Sequence, residues 1–226
     1  PAPKEIHRVI YDFDLFNSSA PADVRQAPLS ALSFVVFDTE TTGLDPQVDE
    51  ICQIAAVRVV NGNLLPDERF DTLVHPGRPI PTSATQIHHI TNDMVADAPS
   101  VPQALARFHA FVGDDILVAH NAPFDMAFLR RHETTIGERF DQTILDTVLC
   151  SAILFGQSAH HTLDALCDRL GIAIPETDRH TALGDALATA EAFRRMIPML
   201  HAAGIPDLGT LIKAFDRHAR LTKHLN

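Results

Sequence analysis

The chain has 226 residues, of which 46% are hydrophobic and 21% are charged, and this composition is ordinary for one large globular domain. The formal net charge of −11 argues against a protein that coats long nucleic-acid duplexes, because such binding requires basic surface that neutralises phosphates. The same charge is compatible with an enzyme that grips a few nucleotides, since bound metal ions supply positive charge locally.

No segment approaches the roughly 18 apolar residues that a membrane-spanning helix requires, and the first residues lead into no apolar signal-peptide core. We therefore expect no membrane contact by this segment. The three cysteines are Cys52, Cys150 and Cys167, without a Cys-x-x-Cys pair, which argues against a disulfide framework or a zinc knuckle. A reducing, cytoplasmic location fits this usage best.

Residues 1–32 differ from the rest and predict an N-terminal extension or linker. Four of the 15 prolines fall there, and residues 17–21 are typical of a loop. Residues 9–16 partly alternate between apolar and polar side chains, which predicts an extended segment lying on the main domain. Because the chain begins with Pro1 rather than Met, we expect a piece of a longer polypeptide or a processed end.

Regular structure begins near Ser33, with strands first and then strands alternating with helices. Apolar runs and turn residues predict strands at 34–37, 51–60, 69–75, 116–119 and 144–145, the first three in an antiparallel meander that turns at 61–63. Helical periodicity predicts helices at 101–112, 121–128, 147–155, 162–171, 182–199 and 207–222. This order predicts an α/β fold with a mixed sheet flanked by helices.

The first polar motif follows the first predicted strand and reads Asp38-Thr39-Glu40-Thr41-Thr42-Gly43. Side chains two apart on a strand share a face, so Asp38 and Glu40 point at one site. Gly43 permits a tight exit with backbone close to a ligand. Asp-x-Glu alone is weak evidence, because a polar turn after a strand has the same composition.

Two further polar motifs come from later elements. His120-Asn121-Ala122-Pro123-Phe124-Asp125 lies at a strand-to-helix junction; taken alone, Asp125 is also explained by the helix dipole and Asn121 by helix capping. His180-Thr181-Ala182-Leu183-Gly184-Asp185 opens the long Ala-rich helix. Four acids gathered in one site repel one another unless cations lie between them, so the three motifs together predict two divalent metal ions.

These motifs resemble those of the DEDDh branch of the DnaQ-like 3′–5′ exonucleases, the family that contains the proofreading subunit of bacterial DNA polymerase III. The resemblance covers residues 33–200 and includes His180, the histidine that names the branch. Residues 87–91, Ile-His-His-Ile-Thr, are similar to the family's substrate-loop segment, which usually has Gly where His89 stands. The resemblance implies a ribonuclease-H-like fold with a five-stranded mixed sheet, and an exonuclease domain at 33–200.

The resemblance also implies a role for each motif residue. Asp38, Glu40, Asp125 and Asp185 are expected to hold two Mg²⁺ or Mn²⁺ ions, and His180 to take a proton from the attacking water. Nucleoside 5′-monophosphates are then expected to leave one at a time from a single-stranded or frayed DNA 3′ end. The expected grip on the terminal nucleotide comes from Thr41, Gly43, Leu44, His88, Asn121 and Phe124; for His88 and Phe124 a plain core role is an equal alternative.

Several alternatives stay open at the level of sequence. An RNA-trimming exonuclease of the same superfamily has the same motifs, because contacts to the 2′-hydroxyl are not legible. A nucleic-acid-binding module without turnover is disfavoured by the full set of acids and histidine. A metal-dependent phosphatase or small-molecule phosphodiesterase shares the metal chemistry. The C-terminal segment 201–226 is expected to pack on the domain, with docking onto a polymerase or nucleic acid as the alternative. A link from residues 1–32 to an upstream domain also stays open.

Overall fold

The computed structural model describes residues 13–16, 20–175 and 177–222, without the side chains of 13–14 and 219–222. Five strands form one sheet: β1 (Ser33–Thr41), β2 (Ile51–Val60), β3 (Asn63–Leu73), β4 (Ile116–Ala119) and β5 (Ile144–Asp146). The spatial order is β3-β2-β1-β4-β5, in which β2 runs antiparallel to both β1 and β3, while β4 is parallel to β1 and β5 is parallel to β4. The predicted mixed five-stranded α/β fold is therefore confirmed.

The helices of the described residues surround this sheet. In chain order they are α1 (Ala22–Gln26), α2 (Thr82–His88), α3 (Asn92–Val95), α4 (Val101–Val112), α5 (Ala122–Arg131), α6 (Glu133–Ile136), α7 (Thr147–Phe155), α8 (Leu163–Leu170), α9 (Ala182–Ala202) and α10 (Leu208–Thr222). Two short 3₁₀ turns lie at Phe13–Phe16 and Leu29–Ala31. The six predicted helices are present, four of them with ends shifted by one to three residues, whereas α1, α2, α3 and α6 had no counterpart in the prediction.

The two faces of the sheet are covered by different helices. Phe34 and Phe37 stand on opposite faces of β1, because their positions differ by an odd number. The ring of Phe34 meets Phe193 of α9 edge-on at 4.9 Å, and the ring of Phe37 meets Phe108 of α4 at 5.5 Å. The residues Val36, Asp38 and Glu40 therefore share the α9 face of the sheet.

The prediction for the third strand needs correction. The third strand was predicted to begin at Arg69, but β3 begins at Asn63, directly after a turn in which both Asn61 and Gly62 have positive φ. Its ladder with β2 is interrupted, because Val57 pairs with Arg69 while Arg58 pairs with Leu65. The residues between them, which include a proline, bulge from an edge strand where a proline is tolerated.

The N-terminal and C-terminal segments pack against each other and against the domain. The residues of 9–16 that the structure describes, 13–16, form a 3₁₀ turn, so the predicted extended conformation is wrong there; residues 9–12 lie outside the described part. In a strand that lies on the surface, neighbouring side chains point to opposite sides, so only one of two neighbours would be buried. Leu15 and Phe16 are both buried, which the 3₁₀ turn allows. Phe16 contacts Phe215 of α10 edge-on at 5.5 Å, and the amide of Leu29 donates to the Pro206 carbonyl at 3.1 Å.

Candidate active site

Three carboxylates of the first and third motifs converge above the α9 face of the sheet. Asp38 and Glu40 project from the end of β1, and Asp185 projects from the first turn of α9. One ligand atom from each of Asp38, Glu40 and Asp185 lies within 4.8 Å of the other two. These residues are far apart in sequence, so the helix packing of α9 onto β1 and β2 creates the cluster.

The segment that carries His180 folds back over the start of α9. Thr181 is the N-cap of the helix and its hydroxyl accepts from the Gly184 amide at 3.0 Å, while donating to the Asp178 carbonyl at 2.8 Å. A Cβ atom at Gly184 would overlap the Asp178 carbonyl oxygen, so only glycine allows this close approach. His180 itself has a φ of 57°, and both its side chain and its backbone act on the Asp185 carboxylate in the direction that favours ionisation.

Asp125 reaches β1 from α5, and is held there by Thr39. One carboxylate oxygen of Asp125 accepts from the backbone amide of Thr39 at 3.2 Å and from its hydroxyl at 2.5 Å. Parallel pairing of β1 with β4 brings the loop that precedes α5 to the same edge of the sheet. Asp125 does not belong to the cluster of Asp38, Glu40 and Asp185. Among neighbouring charges, it nevertheless has the largest effect on the pKa of Asp38.

Burial and mutual repulsion act on the four carboxyl groups. Burial, followed by the charge of Asp125, raises the pKa of Asp38 well above its ordinary value. Burial and then Asp185 raise the pKa of Glu40 to about 8. Burial raises the pKa of Asp125 to about 7 in spite of the bonds from Thr39, and raises the pKa of Asp185 to about 6 in spite of His180. The ionised cluster is therefore costly without positive charge beside it.

The donor set fits a hard divalent cation. Mg²⁺ binds oxygen ligands at about 2.1 Å, so two ligands of one ion are at most about 4.2 Å apart. The spacing of the Asp38, Glu40 and Asp185 oxygens, within 4.8 Å, is close to this distance. Four carboxylates without a thiolate or coordinating imidazole favour Mg²⁺ or Mn²⁺ over zinc or copper.

The predicted substrate residues of the first motif line the exit from β1. The Thr41 hydroxyl donates to the Gly43 carbonyl at 2.7 Å, which fixes the turn. A Cβ at Gly43 would overlap the Asp49 carboxylate, so a larger residue there would require the Asp49 side chain to move. Leu44 is 51% exposed and is available for contact with a base.

The other three predicted substrate residues, His88, Phe124 and Asn121, are all less exposed than Leu44. His88 is buried, its Nδ1 accepts from the Ile90 amide at 3.1 Å and its Nε2 lies 3.7 Å from Cys52 Sγ, which favours a supporting role. Phe124 is half-buried and meets Phe128 edge-on at 5.2 Å. His89, which stands where the family pattern has glycine, has a φ of 62°, in the region that glycine favours.

Asn121 does not cap its helix in the expected way. It precedes α5 with a φ of 68°, and its side chain makes no capping bond. Its Oδ1 atom is buried and has no hydrogen-bond partner among the described residues. The backbone amide of Asn121 instead donates to Asp146 Oδ1 at 3.1 Å.

Two residues next to the site were missed by sequence reasoning. Thr39 holds Asp125, and Asp146, at the end of β5, is fully buried and accepts from both Asn121 and Val148 amides. Burial raises the pKa of Asp146 to about 7. The signal for Asp146 was present, because it ends an apolar run in the same manner as Asp38.

The family model described as Exonuclease (RNase_T) matches residues 35–193. A DNA polymerase III subunit epsilon-like protein of Rhodobacter capsulatus is 54% identical over 97% of this chain and 31% of its own length. A PolC-type DNA polymerase III of Halalkalibacterium halodurans is 37% identical over 84% of the chain and 13% of its own length. The chain thus spans less than a third of these relatives.

Solved structures show the same fold. Exonuclease X in complex with 5′ overhanging duplex DNA has a TM-score of 0.62 and 27% identity, covering 80% of this chain and 99% of that one. E. coli exonuclease I in complex with a dT13 oligonucleotide, at 20% identity and a TM-score of 0.63, covers 76% of this chain and 43% of that one.

A ribonuclease-H-like sheet, with acids of β1 and α9 gathered where they could hold a divalent cation, defines an exonuclease domain. The chain belongs to the exonuclease family, and within it to the DnaQ-like 3′–5′ exonucleases. Among the described residues, no helix has the length and apolar character needed to cross a membrane.

Proposed function

We propose that this domain removes nucleoside 5′-monophosphates from DNA 3′ ends by two-metal hydrolysis. Asp38, Glu40, Asp125 and Asp185 would hold two Mg²⁺ or Mn²⁺ ions. One observation carries the proposal. Side-chain oxygens of Asp38, Glu40 and Asp185 lie within 4.8 Å of one another, although Asp185 is far from the other two in sequence. When bound, the cations supply Lewis-acid stabilisation of charge on the scissile phosphate.

The residues around the acids then have distinct tasks. His180, beside Asp185 at the start of α9, accepts the proton of the attacking water, a task suited to an imidazole near neutral pH. Thr39 orients the Asp125 carboxylate through two hydrogen bonds. The Thr41–Gly43 backbone turn and exposed Leu44 form the proposed seat of the terminal nucleotide, with Phe124 beside it and His88 and Asn121 supporting its walls.

DNA is the proposed substrate because of the relatives of this chain. Exonuclease X, 27% identical, is complexed with duplex DNA that has a 5′ overhang, which is a recessed 3′ end. The names of the relatives, DNA polymerase III epsilon-like and PolC-type, support a polymerase as partner.

We further propose an exonuclease domain at 33–200, with 1–32 and 201–226 as flanking segments. We also propose a cytoplasmic location, since all three cysteines are free thiols.

A single gel experiment tests the proposal. Single-stranded DNA, mismatched-primer DNA and RNA, labelled at either end, are incubated with Mg²⁺ or Mn²⁺, with and without chelator. We expect 5′-labelled DNA to shorten progressively from its 3′ end, to stop with chelator, and to release nucleoside 5′-monophosphates. Asp185→Asn should abolish shortening, while the exposed-surface control Glu138→Gln should not. If RNA is shortened in preference to DNA, the domain is an exoribonuclease instead. Shortening from the 5′ end would refute the proposed 3′–5′ activity.

A further inference from the structure

The amide of Gln53 links the two halves of the acidic site. Gln53 lies on β2 directly opposite Glu40, and paired residues of antiparallel strands point to the same face. Its Oε1 atom accepts a hydrogen bond from the backbone amide of Ala182 at 3.3 Å. Ala182 is the first residue of α9 and is fully buried. One side chain thus joins the strand beside Glu40 to the helix that carries Asp185.

The bond to Ala182 has a structural reason. The first four backbone amides of a helix have no partner within the helix, and a buried one must find an acceptor elsewhere. The Thr181 hydroxyl accepts the hydrogen bond of the Gly184 amide. The Ala182 amide therefore needs an acceptor from outside the helix. Gln53 provides that group from the sheet and sets the height of α9 above β1.

Gln53 is itself held from the other side. Its Nε2 atom donates to Asp71 Oδ1 of β3 at 3.0 Å, which orients the amide so that its oxygen faces Ala182. The β1–β2 ladder shifts register between Glu40 and Thr41, next to this pair, and such bulges re-aim nearby side chains. A neutral amide also makes these bonds without adding a further negative charge beside Glu40.

We propose that Gln53 is a positioning residue that fixes the His180–Asp185 segment against Asp38 and Glu40. The inference rests on the proposed function of this site. Without the Gln53 acceptor, the start of α9 loses its direct hydrogen bond to the sheet. Metal holding and proton removal both depend on the distance between α9 and β1, because Asp185 lies in the first turn of α9 and His180 directly precedes the helix, while Asp38 and Glu40 belong to β1.

The test uses one deletion, one exchange and one matched control. Gln53→Ala removes the acceptor. The double variant Gln53→Glu with Asp71→Asn keeps an acceptor for Ala182 and exchanges donor and acceptor between positions 53 and 71. Gln103→Ala is the control, because Gln103 Oε1 likewise accepts a backbone amide at a helix start, that of Ser100 at 3.0 Å, on α4.

We expect Gln53→Ala to lower kcat on single-stranded DNA about tenfold with KM within about twofold, the size expected for one lost hydrogen bond acting on turnover. Mn²⁺ should bind about threefold more weakly, and the Ala182 amide should exchange its hydrogen about tenfold faster. The exchange variant should restore the Ala182 exchange rate to within about threefold of the unaltered protein, while its carboxylate beside Glu40 should keep kcat below that of the unaltered protein. Gln103→Ala should lower the melting temperature and leave kcat, Mn²⁺ affinity and Ala182 exchange unchanged.

The inference is overturned if Gln53→Ala keeps kcat and Mn²⁺ affinity within about twofold and only loses thermal stability, as Gln103→Ala does. It is also overturned if Ala182 exchange is unaltered. An unaltered protein that releases no nucleotides contradicts the proposed function instead, and Mn²⁺ affinity with Ala182 exchange then decides the role of Gln53.

Discussion

The metal-free protein should lose stability as the pH rises from about 6.5 to about 8.5, because the folded site resists ionisation of its acids. A carboxyl group whose pKa is raised on folding contributes stability below its unfolded pKa, and that contribution is lost as the pH rises through the folded pKa. For Glu40 these limits are 4.5 and about 8. The buried His120, whose pKa is lowered to about 4, acts in the opposite direction below about pH 6.5, so the proposed window excludes it.

The expected magnitude follows from Glu40 alone. Between about pH 6.5 and its folded pKa of about 8 lie roughly 1.5 pH units, and each unit corresponds to 1.36 kcal/mol. The free energy of unfolding should therefore fall by about 2 kcal/mol. For a chain of this size, each kcal/mol shifts the melting temperature by roughly 2–4 °C, so the expected decrease is about 4–8 °C.

Differential scanning fluorimetry with chelator, and again with saturating Mn²⁺, provides the assay. Mn²⁺ binds the ionised acids and should abolish the decrease. Glu40→Gln cannot ionise at this position and should reduce the slope of the chelator curve, to which Asp38, Asp125 and Asp146 still contribute, whereas Glu138→Gln, an exposed glutamate, should keep the slope of the unaltered protein. A melting temperature that is constant across the window with chelator, or an identical slope in Glu40→Gln, would refute the repulsion that we infer between these acids.

Three further substitutions test individual residues of the site. Asp185→Ala should leave the circular dichroism spectrum intact and lower exonuclease turnover at least about a thousandfold, while Asp141→Ala, at an exposed position, should have no effect. His180→Ala should keep Mn²⁺ affinity within about threefold in calorimetry yet lose about a hundredfold or more in kcat, and equal loss of both would assign His180 to metal binding instead. Thr39→Val removes the hydroxyl that donates to Asp125 at 2.5 Å, and should weaken Mn²⁺ binding or turnover about tenfold, whereas exposed Thr134→Val should change neither.

The site motifs were legible in the sequence because their chemistry constrains residue type and spacing. Asp38 and Glu40 must be two apart to share a strand face, and the structure places both on the face that α9 covers. The contact between β1 and α9 was not legible from spacing, because it depends on packing between elements far apart in sequence. The family resemblance supplied that contact, and the structure shows Asp185 beside the two acids.

Other features lay beyond sequence reasoning for physical reasons. Helices α2, α3 and α6 have seven, four and four residues, which is too short to show a full apolar period. The start of β3 was hidden by the polar, proline-containing bulge that follows it. Gln53 was read only as a strand residue, because nothing local shows that its partner is an amide at the start of α9.

Anomalous diffraction from crystals soaked with Mn²⁺ and a nucleoside 5′-monophosphate tests the central claim most directly. We predict two Mn²⁺ peaks coordinated by oxygens of Asp38, Glu40, Asp125 and Asp185, with the phosphate between them and His180 facing its open side. Peaks elsewhere on the surface, or an empty acidic cluster at saturating Mn²⁺, would contradict the account.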